Sequence, residues 1–419
     1  MVEGSGQAVA CSCEGAGLSM KHRPRVLLCC EHYPPSVGGV QEVMRQIAER
    51  LAERGFEVCV ATGSHPQRPA DTVVNGVRVV SFSIKGNLVK GMTGPIAEYQ
   101  LFLKEGGFDS ILIKAAQQWT FDAVVDVLPT LDARKVFIPC GFSGFQDKRY
   151  RDYFEKMSEW LRLFDQLVFY ASDYQDINFA RQQGLTNIAL IPNGVDEREF
   201  TYKNDFGIRG RLGIPDENNI LLCVGSRIMA KGHWEVLEAF RLARIDRPTT
   251  LVLNGNPASS GLLSTLKRAI KHAASGRWPL NWLVLIVNRD PNKKVLITNL
   301  PRHDLLALYN AANLFVFASH VEYSPLVLFE ASAAGLPFIS SSAGNSIEIA
   351  QWLEGGSIVE PKSAGSAEVA PKNLSRAIEK ILSDREILRA LGAKARNNVF
   401  QKGFYWGKII EQYIKVLAL

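Results

Sequence analysis

The 419-residue chain has no apolar run near the ~18 residues that a membrane-spanning helix needs, so a soluble or at most peripheral protein is expected. Its first nineteen residues, rich in Gly, Ala and Ser with Glu3 and Glu14, lack an apolar core of signal-peptide length. Residues 1–23 read as a disordered tail, and Met20, followed by Lys-His-Arg-Pro-Arg and a strand, as a second candidate start. The seven cysteines (Cys11, Cys13, Cys29, Cys30, Cys59, Cys140 and Cys223) show neither metal-ligand nor disulfide-framework spacing. Several fall inside apolar strands, where a thiol acts as a small hydrophobe. A reducing cytoplasm is the expected compartment. A net charge of +6 without any dense Lys/Arg block argues for anionic ligands and against a nucleic-acid partner.

What the chain does have is alternation. With 47% hydrophobic and 21% charged residues the composition is that of a globular protein, and the length favours at least two domains. Short β-rich runs alternate with helical patterns, as in parallel sheets covered by helices. "RVLLCC" at 25–30 reads as a strand, and Val40, Val43, Met44, Ile47, Ala48 and Leu51 then recur at helical spacing up to Gly55. "EVCVATG", a hairpin at 72–82 around Asn75-Gly76, "DSILIK", "KVFIP", "QLVFYA" and "IALIP" continue the first series. After a polar interruption from about 191 to 215, "NILLCVG", "TTLVLNG", "WLVLIV", "KVLITNL", "NLFVFAS", "LPFISS" and "GSIVEP" read as strands of a second. The expected α/β architecture has two Rossmann-like, doubly wound units facing a deep cleft. The first spans 24–200 plus about 400–419, reached by a returning C-terminal helix, and the second spans 201–399. Ligands of such sheets bind beyond the C-terminal strand ends.

Three loops after strands carry candidate chemistry. In "EHYPPSVGGVQEV", Gly38 and Gly39 let backbone approach a ligand at a helix N-terminus, where free N–H groups attract phosphate, although the full dinucleotide fingerprint is missing. In "CVGSRIMAKGHW", Arg227 and Lys231 combine a planar fork with a point charge, which suits a diphosphate. Alone they also fit two solvated cations. In "SHVEYSPLVLFEASAAG", Ser324 reads as an N-cap and Pro325 as the first residue of a helix ending at Gly335. Glu322 and Glu330 are then expected to converge near the free amides of Leu326 and Val327, as acceptors for the hydroxyls of a sugar and a ribose. His320 reads as a structural or solvated neighbour, and Asn193-Gly194 as a turn. Lys114, Gln117 and Gln118 follow a strand and are candidates for the acceptor side. The basic run "LKRAIKHAASGRW" reads as a solvated helix face, with contact to anionic lipid as the alternative.

Two glutamates eight apart, followed by "ASAAGLPFISSSAGNSIEI", together with "RIMAKG", "IPNGVD" and "YPPSVGGVQEV", resemble the retaining GT-B glycosyltransferases of family 4 (glycosyl transferases group 1), over residues 24 to about 415. The resemblance implies that Glu322 contacts donor-sugar hydroxyls and Glu330 the ribose. It implies that Arg227 and Lys231 neutralise the donor diphosphate, and that Gly38 and Gly39 approach it from the first unit. Asn299 and Leu300 would lie by the nucleobase, with Tyr323, Ser324, Leu326 and Val327 completing the donor side. Tyr33, Cys140 and Gly141 would face the sugar or acceptor. Many members carry a histidine where Cys140 stands, and Tyr323-Ser324 replaces the usual Gly-aromatic pair. The expected activity is metal-independent transfer of a hexose-type sugar from a UDP- or GDP-linked donor to a hydroxyl of a glycan, lipid-linked or small acceptor, in polysaccharide or glycolipid synthesis, without a cofactor. A nucleotide-sugar-binding protein without turnover and a nucleotide-sugar epimerase on the same fold are the alternatives.

Overall fold

The alternation is realised in a computed structural model, which describes residues 23–201, 206–256 and 277–419. The expected tail, apart from Arg23, and most of the basic run at 266–278 lie outside the described residues. In chain order the strands are β1 (Arg25–Cys29), β2 (Glu57–Gly63), β3 (Asp71–Val74), β4 (Val77–Phe82), β5 (Lys85–Asn87), β6 (Gly91–Thr93), β7 (Ser110–Lys114), β8 (Arg134–Ile138), β9 (Gln166–Phe169) and β10 (Ile188–Leu190). They continue with β11 (Asn219–Val224), β12 (Thr249–Asn254), β13 (Lys293–Thr298), β14 (Leu314–Phe317), β15 (Phe338–Ser340) and β16 (Gly356–Ile358).

Two sheets result. The first has the order β10-β9-β8-β7-β1-β2-β4-β3, parallel except for the edge strand β3. Asn75 and Gly76 both adopt positive φ in the tight turn from β3 to β4, as a two-residue hairpin loop requires. The second sheet, β13-β12-β11-β14-β15-β16, is parallel throughout. Every residue of β7, β11 and β12 is buried, because helices cover both faces and leave no polar side to alternate with. In both sheets the strand order reverses beside the first strand, β1 or β11, and that opens the crevice in which such sheets bind ligands.

The chain crosses between the sheets near residue 195 and crosses back near 404, where Trp406 N–H donates to Val195 O at 2.9 Å and Val195 N–H to Phe404 O at 3.1 Å, a parallel bridge of Val195 with Tyr405. The helix Trp406–Leu417 then lies against the helix Gly39–Glu53, burying Trp406, Ile409, Ile410, Tyr413 and Leu417 in the core of the first sheet. The Ser110 hydroxyl donates to Leu417 O at 2.6 Å and Arg134 Nε to Val416 O at 2.7 Å.

Two local expectations are corrected. "WLVLIV" is not a strand: Leu280–Val287 is a helix starting after Pro279. Leu283 and Val287, one turn apart, are buried while Trp282 and Leu285 face outward, a 3.6-residue pattern that a uniformly apolar run conceals. Asn193-Gly194 is not a turn but an extended crossing: a Cβ on Gly194 would sit 2.5 Å from Phe404 O, so glycine is there for a close backbone approach.

Candidate active site

The loops after β11 and β14 leave neighbouring strands and are tied to each other. His320 N–H donates to Ala230 O at 2.7 Å and the Ser319 hydroxyl to the same oxygen at 3.1 Å. Between them Lys231 Nζ meets Glu322 Oε1 at 2.6 Å. Gly232, at φ 69°, turns the chain after Lys231, and a Cβ there would lie 1.8 Å from Ala318 O, so only glycine fits. Arg227 is anchored through its backbone N–H on Asn256 O at 2.9 Å, and its half-buried guanidinium makes no ion pair among the described residues. The arrangement is thus one balanced ion pair with one uncompensated cation beside it, at the mouth of two parallel strands.

Glu330 lies one helix further in. The helix is Leu326–Ala334, ended by Gly335 at φ 75°, and its N-cap is Pro325. Ser324 therefore stands one residue too early: its hydroxyl, buried and without a hydrogen-bond partner among the described residues, cannot reach the helix amides and does not cap them. The two glutamates share no partner. Glu330 Oε1 is 2.7 Å from Arg302 and Oε2 accepts from the Tyr309 hydroxyl at 3.0 Å, while Arg302 also grips Glu199 at the crossing between the sheets. A nearly buried carboxylate is stable there because charge and hydroxyl together replace its water. Asn299 is exposed on the loop after β13, and Leu300 is held beside it by its N–H on Asn254 Oδ1 at 2.8 Å.

On the facing side, Gly38 and Gly39 open the helix Gly39–Glu53, and a Cβ on Gly39 would come 3.8 Å from Leu326. The starts of two helices, one from each sheet, thus face each other. Val327 follows Leu326 on the second of them and is half-buried. Tyr33 does not line this space. It is 2% exposed in the core of the first sheet, because its ring completes the apolar layer under the helix, and burial raises its hydroxyl's pKa. Lys114 is also withdrawn: at 1% exposure its ammonium reaches, among the described residues, only the Tyr170 hydroxyl, 2.8 Å away, and burial lowers its pKa. Gln117 turns inward, its Oε1 accepting from Gly144 N–H at 3.0 Å. The side-chain oxygen of Gln118 is buried and finds no partner among the described residues.

Cys140 and Gly141, at φ 63° and 86°, form the seam with Tyr323. Desolvation pushes the Cys140 thiol's pKa up, so it is neutral. A Cβ on Gly141 would approach the Tyr323 ring to 2.9 Å. That ring stacks on Tyr170 with centroids 5.3 Å apart and tilts against Tyr174 at 5.2 Å. Asp176, fully buried, accepts from Gly141 N–H at 2.8 Å, and burial raises its carboxyl to about 6. Further bonds cross the seam: Asn193 Nδ2 to Ser324 O at 3.2 Å, Asn345 Nδ2 to Tyr170 O at 3.1 Å, and Ser172 N–H to Glu348 at 2.9 Å.

His320 belongs to a cluster behind the loops. Its Nε2 is 3.2 Å from Glu235, and Arg277 bridges Glu235, at 2.7 Å, and Glu368. Donor atoms of Glu235, His320 and Glu368 lie within 4.8 Å of one another, and the guanidinium already supplies their countercharge.

Sequence reasoning missed Arg302, Tyr309, Asn254, Tyr174, Asp176, Asn345 and Glu348. Only Arg302 carried a signal, since it follows Pro301 within the "ITNLPRHDL" loop; the others occupy positions that read as ordinary helix or strand residues.

Two doubly wound sheets meeting across a cleft, with charged groups where β11 and β14 end, are the architecture of the GT-B class of glycosyltransferase. The chain belongs to the group 1 glycosyltransferases: residues 205–398 match the family described as glycosyl transferases group 1, and residues 37–199 match glycosyltransferase family 4. It is 27% identical over 355 residues to a glycogen synthase of Mycobacterium tuberculosis, spanning 76% of this chain and 78% of that one. It is 24% identical over 238 residues to an uncharacterized glycosyltransferase of Methanocaldococcus jannaschii, a match covering 55% of this chain and only about half (54%) of that relative. In fold it resembles Anabaena HepE, solved in complex with UDP-glucose, with a TM-score of 0.69 at 17% identity over 94% of this chain and 99% of that one.

Proposed function

We propose that this glycosyltransferase moves a hexose-type sugar, with retention of its anomeric configuration, from a UDP- or GDP-linked donor to a hydroxyl of a glycan, lipid-linked or small acceptor. The observation that carries the reading is the ion pair of Lys231 and Glu322 where β11 and β14 end, with Arg227 on the same loop as Lys231 and Glu330 inside the adjacent helix. The diphosphate of the donor would lie against the unpaired Arg227 and against Lys231, close to the start of the helix Leu326–Ala334, whose amides also attract anions. Two cations and a helix dipole hold charge that grows on the leaving phosphate, which is where transition-state stabilisation counts. Glu322, oriented by Lys231, would accept from sugar hydroxyls. Glu330 would accept from the ribose, Arg302 giving up one of its two acids as the ribose enters. Asn299 and Leu300 would border the base. The acceptor would dock on the first sheet's side, near Cys140 and Gly141. The HepE complex with UDP-glucose supports a nucleotide sugar as donor, and the glycogen synthase relative supports a glycan acceptor.

A thermal-shift screen with UDP-, GDP- and ADP-sugars, followed by product analysis by NMR, tests this. Selective binding raises the melting temperature by mass action, and the product should keep the donor's anomeric configuration. Inversion, or no shift with any sugar nucleotide, would reject the proposal.

A further inference from the structure

The loop carrying Glu322 is held from both sheets at consecutive residues. From its own side, Lys231 pairs with the Glu322 carboxylate at 2.6 Å and Asn345 N–H donates to Tyr323 O at 2.9 Å. Gly344, at φ 61°, makes the second contact possible, since a Cβ there would lie 2.4 Å from that oxygen. From the facing sheet, the Tyr174 hydroxyl donates to Glu322 O at 3.0 Å, and Tyr170 N–H donates to the Tyr323 hydroxyl at 3.1 Å. The buried Asp176 carboxyl, which holds Gly141 N–H at 2.8 Å, lies beside that hydroxyl, whose influence lowers its pKa against the effect of burial. The Tyr323 ring fills the gap between Gly141, Tyr170 and Tyr174, and the missing side chain of Gly141 is what admits it.

We propose that Tyr323 is a positioning residue that fixes Glu322 against Lys231 only while the sheets are closed, so that closure and assembly of the charged cluster are one event. This rests on the glycosyltransferase reading of that cluster. When the cleft opens, Tyr323 loses the ring stack and the hydrogen bond that its hydroxyl accepts from Tyr170 N–H together. The Glu322 backbone simultaneously loses Tyr174, and the loop keeps only its anchors to the second sheet. A donor bound to the open form would find the cations in place but the acid unfixed.

The test uses Tyr323→Phe in the full chain, which keeps the ring and removes the hydroxyl that Tyr170 N–H bonds, with Tyr323→Ala as the larger perturbation. Leaving the Tyr170 N–H without its partner in the closed state is worth roughly a tenfold effect. Tyr323→Phe should lower kcat by about tenfold with donor KM changed less than about threefold. In the same variant the Tyr170 amide should exchange with deuterium faster than in the wild type. Glu322→Gln, which removes the acid's charge and not the latch, should lose turnover with Tyr170 exchange unchanged. Wild-type kcat in Tyr323→Phe, or slowed turnover with the Tyr170 amide as protected as before, would overturn the proposal. A wild-type protein that transfers no sugar at all would overturn the parent reading instead, and that is seen before any variant is made.

Discussion

At the scale of single residues, the site is organised by how each charge is compensated. Arg227 has no acid beside it among the described residues, whereas Lys231 has Glu322 at 2.6 Å. Arg227→Ala should therefore lower transfer by about a hundredfold or more, as removal of a charge-stabilising donor does, with little change in melting temperature. Lys231→Ala should lose comparable activity and also some stability, because it strands an 87% buried carboxylate (13% exposed). Equal melting temperatures for the two variants would contradict this difference. Lys114 behaves oppositely. Its ammonium is 1% exposed and among the described residues has only a tyrosine as partner, so Lys114→Met should raise the unfolding free energy by ~1 kcal/mol or more. The sign of the pH effect follows from the depressed pKa. The unfolded chain binds the proton more tightly, so wild-type stability rises as pH climbs toward the ordinary lysine pKa near 10.5, and the Lys114→Met variant should lack that rise in a denaturation series. The candidate acids and cations were legible from residue type and position after a strand. What they pair with was not, since Arg302 and Tyr309 reach Glu330 from a helix, and Glu199 reaches Arg302 from a crossing, far from it in sequence.

At the scale of elements, turns place these residues. Gly232 adopts φ 69° directly against Ala318 O, so Gly232→Ala should cost about 2 kcal/mol or more and displace Lys231. Circular dichroism melts and assays together check it, and an unchanged melt would refute the turn's role. The helix Gln175–Gln182 carries Asp176 in its first turn, raised by burial to about 6. Its stabilising contribution is complete below the unfolded value near 3.8 and is lost as pH rises through about 6. Asp176→Asn should flatten stability between pH 4 and pH 6, measured as urea midpoints across that range. Asp122, also raised to about 6, contributes to the same slope and leaves a remainder. Strands could be read because both-face burial writes itself as continuous Val, Leu and Ile. The same rule misassigned "WLVLIV" at 282–287: a helix whose exposed face holds Trp282 and Leu285 looks like a strand when every position of the run is apolar. Ser324 shows the complementary difficulty, since one residue of offset, set by the extended Pro325, separates a cap from a bystander.

At the scale of the molecule, several seam contacts gather on residues 170–174 of the first sheet's side and on residues 322–324 and 345–348 of the second. Glu348 accepts both the Ser172 backbone N–H and its hydroxyl. Replacing Glu348 by Ala together with Asn345 by Ala should shift the solution ensemble toward open forms, seen as a larger radius of gyration by small-angle scattering, while each sheet keeps its own exchange protection. An unchanged radius would mean that the remaining contacts suffice. The two-unit plan could be read from strand alternation and from the motif order. Which loops meet across the cleft depends on side chains scattered from Gly141 to Glu348, and no local pattern encodes that.

The returning helix Trp406–Leu417 has a bearing on how the protein comes into being. Synthesis runs from the N-terminus, yet Ser110 and Arg134 await oxygen atoms of residues 417 and 416, and the helix Gly39–Glu53 awaits the tryptophan and isoleucines at 406–410. The earliest-made half is accordingly the last to be sealed, with an oily flank bare throughout translation of the other half. Nascent chains halted before about residue 405 should need a chaperone to stay dispersed, whereas the later-made sheet, whose strands all precede that point, should already be protected.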